Sequence, residues 1–234
     1  MNNYKKLAIS DVYPKGKSYK QLSLIKNFIF WVGNISSGKN PRNTIFVRPF
    51  LQKSAEAQNL IGDNFYIKSN FHGYGGKSYK CSFHNDKFYL IWIDQITNSL
   101  WYQTFEISKN KVKNSNYLEN LISSKQLTKP FKCNYDSSFV INNDKLFGLY
   151  EKDEKDFLFF IDINKYRQEL KVLREFDGFA SSLACNEDMT LLSWLEWNSN
   201  SMPWESNNLF FGSINSSGQL QKIVKFKNKN INFD

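Results

Sequence analysis

Imidazole chemistry near neutral pH must fall to His72 or His84, the only two histidines in the chain. A serine nucleophile of the hydrolase kind sits in a G-x-S-x-G turn between a strand and a helix. "GNISSG" has the wrong spacing for that turn, and "GKSYK" lacks the second glycine. A Ser-His-Asp triad therefore has no scaffold in these residues. Cys81, Cys133 and Cys185 are odd in number, far apart and free of any C-x-x-C pattern. That spacing predicts three reduced, largely buried thiols and neither a disulfide framework nor a zinc site. The run "EKDEKD" (Glu151–Asp156) alternates in sign and lacks the oxygen spacing of a calcium loop, so it predicts a solvated turn with no metal. No cofactor motif is present. Gly73, Gly75 and Gly76 of "HGYGG" have neither the lysine-serine pair nor the helix of a phosphate-binding loop.

Two loops remain as places where a ligand could be recognised. In the first, His72 and Tyr74 stand among Gly73, Gly75 and Gly76, which allow left-handed backbone or close approach of another chain; the loop either lines a channel mouth or is a tight inter-blade turn with a hydrogen-bonded histidine. In the second, "WNSNSMPWE", Trp197, Met202, Pro203 and Trp204 occupy a connection that would ordinarily be polar, with Glu205 at its end. Such aromatic bulk either walls a pocket or plugs the loop onto its own sheet. Glu196, beside Trp197, reads as a surface strand residue. The second loop belongs to the stretch Asp177–Ile214, which reads as strand (Phe179–Ala184), turn (Cys185–Asp188), a strand ending in Trp194, loop, and strand (Leu209–Ile214).

That pattern recurs. Aromatic residues make up 17% of the chain, mostly in short runs suited to pleated strands. A polar turn precedes an aromatic-ending strand four times: Phe28–Trp31, Phe88–Trp92, Leu146–Tyr150 and Leu191–Trp194. The turn asparagines Asn27, Asn85, Asn143 and Asn186 are 58, 58 and 43 residues apart. An apolar strand precedes each turn (Tyr19–Ile25, Ser78–Phe83, Ser138–Ile141, Phe179–Ala184). A third strand follows (Thr44–Phe50, Leu100–Ile107, Phe157–Ile163, Leu209–Ile214), and a polar fourth is clearest at Glu169–Glu175 and Gln219–Phe226. Four strands per unit at this spacing predict an all-β fold, a partial β-propeller of about four antiparallel four-stranded blades, over roughly 15–68, 69–127, 128–176 and 177–230. A sandwich of irregular hairpins is the competing arrangement. Only Tyr117–Leu127 and Lys165–Leu173 carry any helical periodicity. The stretches Ser36–Asn43 and Ser108–Asn116 read as solvated loops between units.

With 31 basic against 22 acidic residues the net charge is +9, but only Arg42, Arg48, Arg167 and Arg174 are arginine, and the lysines are scattered. Only "KFKNKN", near the end, resembles a basic run. Bidentate reading of phosphates and bases favours arginine, so the charge predicts no nucleic-acid partner. No stretch approaches the ~18 consecutive apolar residues of a membrane span. The expectation is a cytoplasmic protein without a membrane partner.

Placed on blades, the two loops resemble segments of the propeller of prolyl oligopeptidase family serine peptidases, especially the acylaminoacyl- and dipeptidyl-peptidase-like members. "IKSNFHGYGGKSY" is similar to their "V-R-x-R-V-H-E-Y-G-G-G-x-Y", and "LSWLEWNSNSMPWESNNLFF" to "L-A-W-L-x-W-D-H-P-N-M-P-W-D-x-x-x-L". Three weaker matches, "SSGKNPRNTIFVR", "WIDQITNSLWYQ" and "LTKPFKCNYDSS", follow the family order, so the resemblance runs from about Ile35 to Phe211. Gly73 and Lys77 depart from it in the first loop, and Ser199, Ser201 and Glu205 in the second. In that family a propeller of seven or eight blades precedes an α/β-hydrolase domain. The resemblance therefore implies a non-catalytic part of a propeller that admits or positions peptides for a hydrolase domain. It also implies that His72, Tyr74, Gly75, Gly76, Trp197, Met202, Pro203, Trp204 and Glu205 line the substrate channel. A self-contained four-bladed binding module is the alternative, and a complete non-peptidase enzyme a third. Open ends of a four-blade arc predict self-association.

Overall fold

The computed structural model describes residues 19–35, 42–52, 54–108, 116–142, 144–188 and 190–226. The turn position Asn143, most of "KFKNKN" and the greater part of both inter-unit loops lie outside them. The described residues form seventeen strands and one short 3-10 turn. None of the described helical structure is long and apolar enough to cross a membrane.

The strands make four antiparallel sheets, each wound in chain order. The first holds β1 (Lys20–Ile25), β2 (Phe28–Ile35), β3 (Arg42–Pro49) and β4 (Gln58–Asn59). The second holds β5 (Tyr79–His84), β6 (Lys87–Asp94), β7 (Ser99–Ile107) and β8 (Leu118–Asn120), with β9 (Lys125–Gln126) also paired to β7. The third holds β10 (Asn134–Asn142), β11 (Lys145–Lys152), β12 (Lys155–Asp162) and β13 (Lys171–Glu175). The fourth holds β14 (Phe179–Cys185), β15 (Leu191–Trp197), β16 (Asn208–Ile214) and β17 (Leu220–Lys225). The aromatic-ending strands stand second in every sheet, as the repeat predicts.

Period-two alternation explains why the sheets stack. Along β6, Phe88, Leu90 and Trp92 pack with Phe30, Val32, Ile45 and Val47 of the first sheet. The intervening Ile91 and Ile93 turn to the other side and pack with Tyr135, Leu146, Tyr150 and Phe159 of the third. Along β11 the sides exchange again. Leu146 and Tyr150 belong to that cluster, whereas Phe147 and Leu149 meet Ala180, Leu192 and Trp194 of the fourth sheet. Three core clusters thus lie between consecutive sheets, which is how blades bury their faces. The fourth strands are polar: β13 and β17 leave most side chains half or fully in solvent.

Several expectations need correction. Tyr117–Leu127 is not helical; it contains β8 and β9, and Leu121 and Ile122 face solvent. Lys165–Leu173 is a turn leading into β13. The strand expected to end at Trp194 runs on to Trp197, which pairs with Phe179. Gly178, just before that pairing, has no room for a side chain: an added Cβ would lie 2.2 Å from the Trp197 carbonyl oxygen. Of the three thiols, Cys81 and Cys133 are buried and Cys185 is exposed.

Candidate functional site

The first loop enters the site through a 3-10 turn, Phe71–Gly73. His72 (φ 51°) and Gly73 (φ 72°) both take left-handed backbone, and Gly75 (φ 77°) does so again. An added Cβ on Gly75 would also sit 3.2 Å from the Ser69 carbonyl oxygen. This strained path turns the His72 peptide N–H onto a carboxylate oxygen of Glu151 and its ring onto Asp156, with Nε2 2.8 Å from Oδ2. A carboxylate only accepts, so Nε2–H is the donor.

The two carboxylates come from the run "EKDEKD", where the solvated-turn expectation fails. Asp153 and Glu154 form the exposed turn, in left-handed backbone, and Glu151 and Asp156 face one another across β11 and β12. Asp156 is 1% exposed. Its Oδ2 also accepts from the Ala180 N–H of β14 at 2.7 Å, and its carbonyl accepts from Phe176 N–H at 3.0 Å. Glu151 is half-buried and accepts from Asn134 Nδ2 at 2.9 Å. The result is a hydrogen-bonded joint that ties the loop before the second sheet to the third and fourth sheets. His72, Glu151 and Asp156 each bring one metal-competent atom within 4.8 Å of the others. Those atoms already serve one another and backbone N–H donors, so we describe the cluster as a latch.

The latch brings the two loops together. The His72 ring stacks on Phe71 (3.8 Å) and meets the ring edges of Phe179 (4.9 Å) and Trp197 (5.9 Å), which lie 5.7 Å from each other. Trp197 is therefore a strand residue packed beside His72. Beyond it the chain turns through Pro203, and Glu205 closes the turn by accepting from Met202 N–H at 2.9 Å. One oxygen of Glu205 thus serves its own backbone, a role that spacing did not indicate. Met202 and Trp204 are exposed, Trp204 at 70%, so the loop does not pack these side chains onto its own sheet. Tyr74 is 95% exposed, and Gly76, exposed as well, accepts at its carbonyl from Gln21 Nε2 at 3.0 Å. His84 is elsewhere, stacked on Tyr89 at 3.8 Å, and burial lowers its pKa.

Glu196 was missed. It accepts from Trp194 Nε1 at 2.6 Å and from Arg174 Nη2 at 2.8 Å, and its side chain is only 19% exposed. Arg174 reaches it from β13 over the rings of Phe176, Trp194 and Phe210. The alternation of strand β15 gave the only available signal, since it places Glu196 on the same side as buried Trp194 and Leu192.

Comparison with solved structures matches the fold of this chain to part of two solved peptidases. A puromycin hydrolase superposes with a TM-score of 0.69 at 13% identity, over 92% of this chain and 33% of that one. A puromycin-hydrolysing peptidase of Mycobacterium tuberculosis gives 0.70 at 15% identity, over 93% and 32%. The four sheets have the fold of a peptidase propeller. The chain spans about a third of the length of these solved relatives, the propeller part. No family model and no curated protein matches it.

Proposed function

We propose that the chain is the non-catalytic propeller part of a prolyl-oligopeptidase-like serine peptidase, gating or positioning peptides for a hydrolase domain outside these 234 residues. One observation carries the reading: two loops far apart in sequence, each resembling a peptidase segment, meet through His72 and Trp197. The latch beneath them holds the first loop rigidly, as a recognition surface requires. Tyr74, Met202 and Trp204 stand out of the loops into solvent, where their apolar faces are free to cover the side chains of a short extended peptide. A folded protein cannot insert its backbone between such loops, so the same geometry selects for short, flexible substrates. Pro203 and the Glu205–Met202 contact fix the shape of the second loop. A cytoplasmic setting fits the three free thiols.

Calorimetric titration of the purified chain with a set of short unstructured peptides tests this. The expected result is saturable binding, weakened at least about tenfold, roughly 1.4 kcal/mol, by Trp204→Ala. Binding that is unchanged by Trp204→Ala and by Tyr74→Ala would reject the reading.

A further inference from the structure

Beside the latch, between the second and third sheets, lies a hollow of about 240 Å³. Lys68, Asn70, Gln95, Asn98 and Asn134 wall it. Ile93, Cys133 and Tyr135, all buried, form its floor. Lys68 and Asn70 precede β5, Gln95 and Asn98 sit in the turn from β6 to β7, and Asn134 opens β10. These are places where a first strand begins or a second turns into a third, the end of the sheets that also carries both candidate loops.

The walls are held in place. Asn98 Nδ2 donates to the Phe131 carbonyl at 2.6 Å, and Phe131 N–H donates back to the Asn98 carbonyl at 3.1 Å. Gln95 N–H donates to the Tyr66 carbonyl at 2.9 Å, and Ser69 Oγ to the Tyr135 carbonyl at 2.7 Å, which fixes the segment carrying Lys68 and Asn70. Asn134 Nδ2 donates to Glu151 at 2.9 Å, so the hollow shares a wall with the latch. The side chains of Lys68, Asn70 and Gln95, by contrast, have no hydrogen-bond or ion-pair partner among the described residues. The lining thus offers one ammonium and four carboxamides, and none of its described residues is acidic. The neighbouring carboxylates are occupied. Asp94 accepts from Tyr66 N–H at 2.8 Å and Thr97 N–H at 3.0 Å, and Glu151 from His72 and Asn134. Burial pushes the Cys133 thiol up to about 12, which keeps the floor uncharged at neutral pH.

We propose, resting on the reading that peptides meet this end of the sheets, that the hollow is a subsite for a carboxylate of the bound peptide. Carboxylate is the anion that peptides carry, at the chain end or on an Asp or Glu side chain. Lys68 supplies the charge, and the uncommitted N–H groups of Asn70 and Gln95 supply further donors. Carboxamides alone would serve a neutral amide equally well; the ammonium selects the anion, because a charge-assisted hydrogen bond is roughly twice as strong as a neutral one. The volume lies below the roughly 300–1,000 Å³ of pockets that enclose a whole small ligand, so the hollow has room for one residue and not for a folded chain. The net charge of +9 draws anions toward it.

Nuclear magnetic resonance of the full chain with N-acetylalanine, and separately with N-acetylalanine amide, probes the hollow with ligands too small to reach the second loop. The acid should shift the side-chain amide signals of Asn70 and Asn134, and the amide should not. Calorimetry with short peptides follows. A carboxylate should tighten binding about tenfold over the same peptide amidated and neutral, the effect of one hydrogen bond to a charged group. A gain confined to the free-acid peptide assigns the chain end; a gain confined to an amidated peptide with one glutamate assigns the side chain. Lys68→Gln should remove the gain and the shifts, Lys68→Arg should keep them, and Lys68→Glu should invert the preference. Lys68 is exposed, and circular dichroism confirms each fold; Asn70→Ser, which should weaken the gain, replaces any variant that unfolds. Equal response to acid and amide, or a preference that Lys68→Gln leaves intact, would overturn the subsite. Peptide binding that needs Trp204 yet ignores the carboxylate would do so too, and would leave the peptide reading standing. An acid-specific shift without any peptide binding would uphold the carboxylate site and reject that reading.

Discussion

Replacing Asp156 by alanine is the most informative perturbation of the latch. Asp156 is 1% exposed and its Oδ2 accepts from His72 Nε2 at 2.8 Å and Ala180 N–H at 2.7 Å. Hydrogen bonds to a charged group contribute roughly 1.5–3 kcal/mol each, and the substitution leaves the buried Ala180 N–H without its acceptor. Two such bonds set the loss at about 3–5 kcal/mol, the range found when one partner of a buried pair is removed. For a chain of this size each kcal/mol moves the melting temperature by roughly 2–4 °C, so the expected fall is roughly 6–20 °C. Asp156→Asn keeps an acceptor and should lose less than half as much. His72→Ala breaks one bond only and should fall between them. A double-mutant cycle of the asparagine and alanine changes should show coupling above about 0.5 kcal/mol, because the two groups touch. Thermal and urea unfolding followed by circular dichroism give the stabilities, and tryptophan fluorescence reports whether Trp197 loses its neighbour. If Asp156→Ala costs under about 0.5 kcal/mol, Asp156 is an ordinary strand residue and the latch does not exist.

Other expectations are simpler. Gly178→Ala must push β14 from β15 to relieve a 2.2 Å contact with the Trp197 carbonyl, and should lower the urea midpoint by the equivalent of about 1–3 kcal/mol; an unchanged midpoint contradicts the pairing. Burial pushes the Tyr79 hydroxyl from 10.0 and the Cys133 thiol from 9.0, both up to about 12. The folded chain therefore holds these protons more tightly than the unfolded chain. Their contribution is fully present below pH 9 and is lost as pH rises toward 12, so urea midpoints should fall across that window and fall less in Cys133→Ala. Ellman's reagent should modify Cys185 rapidly and leave Cys81 and Cys133 protected until unfolding, since only Cys185 is exposed; three equally fast thiols would contradict the packing. Fluorophosphonate probes should label no serine of this chain, because none sits in an activating elbow, and stoichiometric labelling would refute that.

Much of the sheet architecture is legible because burial in stacked sheets imposes a period of two and the turns demand Asn, Asp or left-handed backbone. Phe88–Trp92 and Leu146–Tyr150 are apolar at every position since each strand is covered on both faces, and such runs stand out. β4 and β8 do not: at two and three residues they are too short for any period to show. Leu118, Leu121 and Ile122 mimic helical spacing, yet only Leu118 is buried. Of the candidate site, the sequence singled out the two loops but not the carboxylates that hold them. Nothing in "EKDEKD" distinguishes Asp156 from Asp153, because the difference lies in which side of a tight hairpin each occupies and in what the His72 loop brings to it. Glu196 is hidden for the same reason: its partner Arg174 is supplied by a neighbouring sheet.

The account stands most directly on where a peptide touches the chain. Short peptides carrying a benzophenone side chain, photolysed with the chain and mapped by mass spectrometry, answer that. The expected adducts fall on Tyr74 and on the Met202–Glu205 turn, are suppressed by unlabelled peptide, and are not suppressed by a folded protein of the same concentration. Adducts spread over the outer strands β13 and β17, or competition by folded protein, would contradict it.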